Sequence, residues 1–208
     1  MKYNKQDIEN LDRVTRLKII NSVTGIKPAN LIGTIGTNGI TNLAVFSSVV
    51  HLGSNPPLLG FITRPETNDV GHTIQNIREN KVYTINHIHP EFTKKAHYTS
   101  SKFDKAISEF ERCGLTEEYS NNFKAPFVKE SNFKMGMLFK EVIPIPLNGT
   151  ALVIGKIVFI EISDKAIKDG DIDLEETNSV GISGLNSYYK LKKIAKYPYA
   201  RVNETPMF

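Results

Sequence analysis

Two short stretches hold the residue types from which a ligand site is built. Thr41-Asn42-Leu43-Ala44-Val45-Phe46-Ser47-Ser48-Val49 is an apolar-rich run that ends in paired hydroxyls. Further on, Arg64 follows a buried-type run, and Thr73-Ile74-Gln75-Asn76 opens a helical pattern. Hydroxyls at a strand end more often donate hydrogen bonds than attack. No G-x-S-x-G elbow surrounds Ser47 or Ser48, so a serine nucleophile is not indicated. A guanidinium beside a hydroxyl and the free N–H groups of a helix N-terminus is a receptor for a phosphate.

Other chemistries have less behind them. Of the five histidines, His87 and His89 alternate on one predicted strand and so share a face. No carboxylate or third ligand lies beside them, and no metal site is assigned. His97 sits in KKAHYTSSKF, where an imidazole, hydroxyls and cations crowd one segment. Cys113 is the only cysteine, which excludes an internal disulfide, a thiolate zinc cluster and a cysteine-held iron–sulfur centre. Its neighbours Glu111, Glu117 and Glu118 do not favour a thiolate, so it reads as a structural thiol. Gly33, Gly36 and Gly39 lack the dinucleotide spacing, and no helix pattern follows them. Gly39 completes a turn, while Gly33 and Gly36 mark close backbone approach or a bulge.

The elements that must position these residues are mostly strands. Ile8, Leu11, Val14 and Leu17 predict an amphipathic helix over residues 5–20, ending before Gly25 and Pro28. Strands are predicted at Leu31–Thr37 and Ile40–Val50, with Asn38-Gly39 between them as a two-residue hairpin turn. Pro57–Thr63 reads as a strand buried on both faces. A polar loop over Arg64–His72 leads to Thr73 as helix N-cap, and Val82–Ile88 returns to strand. Residues 90–125 form a polar insertion with helical fragments at Pro90–His97 and Phe103–Cys113, placed to lie over a pocket. Pro126–Ser131, Phe133–Pro146 and Thr150–Ile162 resume the strands, with a second turn at Asn148-Gly149. Asp164–Asn178 is acidic and loop-like, and a tyrosine- and lysine-rich tail closes the chain.

Many closely spaced strands and few helices point to an antiparallel barrel rather than a parallel α/β sheet. The 208 residues read as one domain, 40% apolar and 23% charged. No run approaches the ~20 apolar residues of a membrane span. The N-terminus is polar where a signal peptide is apolar, so a cytoplasmic location is the default expectation. A net charge of +4 is too mild and scattered to indicate nucleic acid. The one basic cluster, Lys190, Lys192, Lys193, Lys196 and Arg201 among tyrosines, reads as a solvated terminal segment or a wall over an anionic cofactor.

The order of these segments resembles a known family. Asn42-x-Ala44-x-Phe46-Ser47, then Pro56-Pro57 and an apolar strand, then Thr73-x-x-Asn76-Ile77 and Tyr83-Thr84-Ile85-Asn86, is similar to the flavin reductase-like proteins of the FMN-binding split-barrel fold. Ile154-Gly155-Lys156-Ile157 fits that family's closing strand. The resemblance covers about residues 25–165, with the N-terminal helix and the tail as extensions.

The resemblance implies a mainly β protein with peripheral helices, a split antiparallel β-barrel that forms a homodimer with FMN near the subunit interface. It places Asn42, Ser47, Ser48 and Val49 along the isoalloxazine, and Arg64, Thr73 and Asn76 at the ribityl phosphate. It brings His97, Thr99, Ser100 and Ser101 from the insertion, across the dimer. Leu43, Phe46 and Leu59 would supply an apolar floor. Hydride transfer to a flavin needs no triad, and no residue is assigned as catalytic. The implied function is an FMN-dependent oxidoreductase passing electrons to a flavin, a metal chelate or a partner protein. The alternative is a non-enzymatic flavin carrier or sensor. Many two-component flavin reductases carry an Asp-His pair, associated with nicotinamide, where this chain has Asn148-Gly149-Thr150-Ala151. NAD(P)H and a protein donor therefore both stay open as the reductant.

Overall fold

Seven strands form one antiparallel sheet, in the order Thr41–Phe46, Asn30–Ile35, Val82–His87, Phe133–Ile145, Thr150–Ile162, Pro57–Thr63 and Val50–Ser54. The computed structural model describes residues 1–65 and 71–207, so part of the polar loop predicted over Arg64–His72 lies outside the described residues. The two outer strands, Thr41–Phe46 and Val50–Ser54, are consecutive in the chain and joined by residues 47–49 alone. In a flat seven-stranded sheet they would lie about 28 Å apart, while the linker from Phe46 to Val50 spans at most about 14 Å. The sheet therefore curls until its two edges approach within reach of that linker. No ladder joins those edges among the described residues, so the curl is open along a seam. The predicted strand Ile40–Val50 is in fact two strands broken at this seam.

Both predicted hairpins form, with longer loops than a two-residue turn. Ile35 pairs with Thr41, Gly39 alone takes a positive φ (81°), and its N–H donates to the Gly36 carbonyl at 3.0 Å. Asn38 instead uses its Oδ1 to accept from the Ile40 N–H at 3.1 Å. That is a tight turn followed by a left-handed glycine, the three-residue hairpin solution. At the second turn Ile145 pairs with Thr150, and Gly149 (φ 72°) takes the left-handed place in a four-residue loop. Gly33 marks a close approach as predicted, since a Cβ there would strike the Pro126 carbonyl and the Thr84 hydroxyl.

Alternation along the strands divides the core in two. Leu31 and Leu43 join Ile88, Phe92, Phe110 and Val128 on one side. Ile32, Phe61, Tyr83, Ile85 and Met137 lie on the other, covered by Ile74 and Ile77 of the helix His72–Asn80. The insertion covers the first side with the helices Thr93–Tyr98 and Glu109–Cys113, both shorter than or shifted from the predicted fragments. Of Pro126–Ser131 only Phe127–Val128 is strand.

The chain ends differ most from expectation. The predicted N-terminal helix is two, Lys5–Asn10 and Arg13–Ser22, because Asp12 caps a new start by accepting from the Val14 and Thr15 N–H groups at 3.0 Å. Neither helix buries a residue. In the tail, Val180–Ser183 and Ser187–Lys190 form a hairpin whose first strand pairs with Lys27–Pro28. No helix among the described residues is long and apolar enough to cross a membrane.

Candidate functional site

The helix His72–Asn80 is fastened to the edge hairpin by three side chains on one of its faces. Thr73 Oγ1 accepts from Asn42 Nδ2 at 3.1 Å, Asn76 Nδ2 donates to Thr34 Oγ1 at 3.1 Å, and Asn80 Nδ2 donates to the Ile35 carbonyl at 2.8 Å. Positions 73, 76 and 80 lie on one helical stripe, which is why they meet one pair of strands. Thr73 is therefore not the N-cap. Gly71 takes that place with φ 113° and offers no side chain, and Thr73 lies inside the first turn with its hydroxyl committed to Asn42.

A small polar pocket opens at this corner, lined by Gly36, Asn42, His72, Asn76 and, from the insertion, Lys105. Asn76 is 3% exposed, and its Oδ1 has no hydrogen-bond partner among the described residues. An unsatisfied buried amide costs about 1–3 kcal/mol, so its persistence beside a pocket points to a ligand or water contact. Gly36 keeps the pocket open, since a Cβ there would meet Asn38 Oδ1 and approach Asn76 Oδ1.

The second group of candidates lies at the seam. Ser48 Oγ accepts from the Ile62 N–H at 3.0 Å and faces the Ile62 carbonyl at 3.3 Å. Ser48 lies opposite Ile62 in the register that pairs Val50 with Gly60, so its hydroxyl extends the ladder between Val50–Ser54 and Pro57–Thr63 by one rung and fixes the linker to that side of the seam. Ser47 and Val49 flank it half-buried, and Val49 packs on the second core cluster. Arg64 follows two residues after Ile62 and is exposed. Asn42 and Phe46 share a face of their strand, and Phe46 packs edge-on to Phe61 at 5.0 Å between ring centres. Leu43 points the other way into the first cluster, so it cannot share a floor with Phe46 and Leu59.

His97, Thr99, Ser100 and Ser101 lie apart from these two groups within the chain. His97 is on the helix Thr93–Tyr98, which packs on the opposite side of the sheet, with Nδ1 3.4 Å from the Tyr188 hydroxyl. Thr99 and Ser100 use their hydroxyls on the Ala96 and His97 carbonyls, both at 2.7 Å. Ser101 is exposed.

His87 and His89, the pair predicted to share a strand face, both have protein partners. His87 shares a hydrogen bond with Ser179 at 2.9 Å and stacks on Phe133; burial pushes its pKa down to about 4. His89 Nε2 accepts from the Asn132 N–H at 3.0 Å, and burial lowers its pKa too. Burial followed by the Glu109 charge raises the Cys113 thiol, in keeping with a structural role.

Two residues of the corner escape sequence reasoning. Glu109 is buried, and its Oε2 accepts the Leu43 main-chain N–H at 2.9 Å. Its place after Ser108 reads locally as an ordinary acidic helix start. Lys105 has no periodic or motif signal at all.

The flavin reductase like domain family matches residues 26–173. Among solved structures, a split-barrel protein of Shewanella frigidimarina NCIMB 400, designated a candidate flavin reductase, is 48% identical with a TM-score of 0.92. The match covers 96% of this chain and 100% of that one. Nitrilotriacetate monooxygenase component B from Bacillus cereus is 19% identical with a TM-score of 0.83, over 95% and 98% of the two chains. Flavoredoxin of Desulfovibrio vulgaris (Miyazaki F) is 20% identical with a TM-score of 0.72, over 85% and 92%. These last two likenesses are of fold.

Proposed function

This chain belongs to the flavin reductase like domain family, and we propose that it is an oxidoreductase working through bound FMN. The observation that carries the reading is the corner where the Asn42–Thr73 pair stands beside the unsatisfied Asn76 amide at the start of a helix. These residues fit a flavin phosphate and its polar neighbours, because an uncapped helix start offers N–H groups to an anion. Bound flavin supplies hydride and single-electron transfer that side chains alone do not.

The protein's own residues bind and orient. Thr73, Asn76 and Arg64 hold the phosphate end. Asn42, Ser47 and Val49 line the ring along the edge strand and seam, with Ser48 tying their linker to Ile62. Phe46 and Leu59 form the apolar floor, which excludes water from one ring face. The chain acts as one domain over residues 1–208 and as a homodimer. Supporting a dimer, Val50, Leu52, Val158 and Ile160 are each 42–50% exposed on the sheet. His97, Ser100 and Ser101 then reach the flavin of the second copy, while Thr99, buried with its hydroxyl on the Ala96 carbonyl, stays within its own chain. Electrons pass to a free flavin, a metal chelate or a protein partner.

A carrier or sensor role is the second reading. It is favoured by Asn148, whose Oδ1 is occupied by the Thr150 N–H and hydroxyl at 3.1 and 2.7 Å in place of an Asp-His pair.

The visible spectrum of the purified protein with added FMN tests the binding. A protein that acquires no flavin bands ends the proposal. Anaerobic mixing with NADH and NADPH separates the two roles: bleaching of bound flavin supports the enzyme, and none with either donor supports the carrier.

A further inference from the structure

The pocket beside Asn76 has a cation of its own. Lys105 is an exposed side chain of the insertion, yet its Nζ donates to Gln75 Oε1 at 3.2 Å, which ties it to the first turn of the helix His72–Asn80. It lines the same pocket as His72, Asn42 and Asn76. Two further features of that pocket suit an anion. The helix start has no side-chain cap, so first-turn N–H groups remain available. The buried Asn76 amide has one end committed to Thr34 Oγ1 and the other without a partner among the described residues. Because a hydroxyl donates as well as accepts, the amide can keep Thr34 while turning its NH2 toward the pocket.

We propose that Lys105 joins Arg64 as a cation receiving the flavin phosphate, and is one of the side chains by which the protein tells FMN from riboflavin. The inference rests on the reading of this corner as a flavin site. Its chemical content is narrower: a lysine from the insertion acts on the phosphate alone and not on the ring. It also gives the insertion a function, since the ligand would fasten residues 90–125 to the helix.

The test compares FMN with riboflavin by fluorescence-quenching titration of the wild type, Lys105→Ala and Lys105→Arg. Lys105→Ala is expected to weaken FMN about fivefold, the scale of an exposed ion pair, and to leave riboflavin unchanged. Lys105→Arg should restore FMN binding. The salt dependence of FMN affinity should be shallower in Lys105→Ala than in the wild type. Equal affinities of wild type and Lys105→Ala for both flavins would overturn the inference while leaving the flavin site standing. Equal losses for both flavins would also overturn it, because the phosphate would then not be the group sensed. A wild type that binds neither flavin removes the reading itself and this inference with it.

Discussion

Glu109 accepts the main-chain N–H of Leu43 at 2.9 Å from a buried position, 66 residues along the chain. The neighbouring Thr41 hydroxyl meets Ser108 Oγ at 2.6 Å and donates to Glu117 Oε1 at 2.5 Å. The insertion thus grips the edge strand on both sides of Asn42, and a donor that an edge strand usually leaves to solvent is satisfied by a carboxylate.

Glu109→Ala leaves the buried Leu43 N–H without an acceptor and should destabilise the fold by about 1–3 kcal/mol. Glu109→Gln keeps an acceptor and should retain most of the stability. Burial raises the Glu109 pKa, and the Leu43 N–H opposes that only in part. A raised folded-state pKa means the native protein takes up the proton first, so this contribution is greatest at acidic pH and is lost as pH rises through the folded value. Urea unfolding at acidic and neutral pH should show wild type losing ground to Glu109→Gln as pH increases. A stability difference that does not vary with pH would rule this out.

Ser48→Ala removes both contacts by which the linker is tied to Ile62, beside the seam. A loss of about 1 kcal/mol is expected, together with weaker flavin binding, since the bend that carries Ser47 and Val49 is released. Denaturation midpoints and an FMN titration read the two effects separately. Unchanged values for both would mean that packing alone holds the linker.

Thr73→Val conserves shape and removes the acceptor for Asn42. The Asn42 amide then loses its partner, for an expected cost of about 1–2 kcal/mol. In a double-mutant cycle with Asn42→Ala the coupling should be about 1 kcal/mol. Additive effects would show that the two side chains are close without being energetically joined.

Gly155 has no room for a side chain, because a Cβ would strike the hydroxyl of Tyr83. That hydroxyl is buried without a partner among the described residues. Tyr83→Phe is expected to be neutral or stabilising by up to about 1 kcal/mol. Gly155→Ala should destabilise by about 1–3 kcal/mol and be partly rescued in the Tyr83→Phe background. A rescue of zero, read by thermal unfolding, would place the strain elsewhere.

Arg64→Ala is expected to weaken FMN about tenfold, the scale of a charged hydrogen bond to phosphate. Equilibrium dialysis of FMN checks this, and unchanged affinity would move the phosphate away from the end of the Pro57–Thr63 strand.

The legible features are those whose cause is local. The Asn-Gly pairs announce hairpins because glycine reaches positive φ cheaply. The Pro57–Thr63 and Thr150–Ile162 strands are found where their apolar runs predict them. The seam was not legible, because Ser47-Ser48-Val49 contains neither glycine nor proline and its break is imposed by curling of the whole sheet. Thr73 has the chemistry of an N-cap, yet its hydroxyl goes to Asn42, 31 residues away. Gly71 stands at the N-cap instead, with a left-handed backbone and no side chain to cap with.

The amino-acid sequence by itself determined a β-rich chain, its turns, and the family to which its ordered segments belong, because those depend on residue type and spacing over a few neighbours. Only the tertiary structure decided that Asn42, Thr73 and Asn76 share a corner with Lys105, that Leu43 faces away from it, and that Glu109 holds the edge strand. Each of those is a contact between residues far apart in the chain, set by strand order and sheet curvature, which no local pattern encodes.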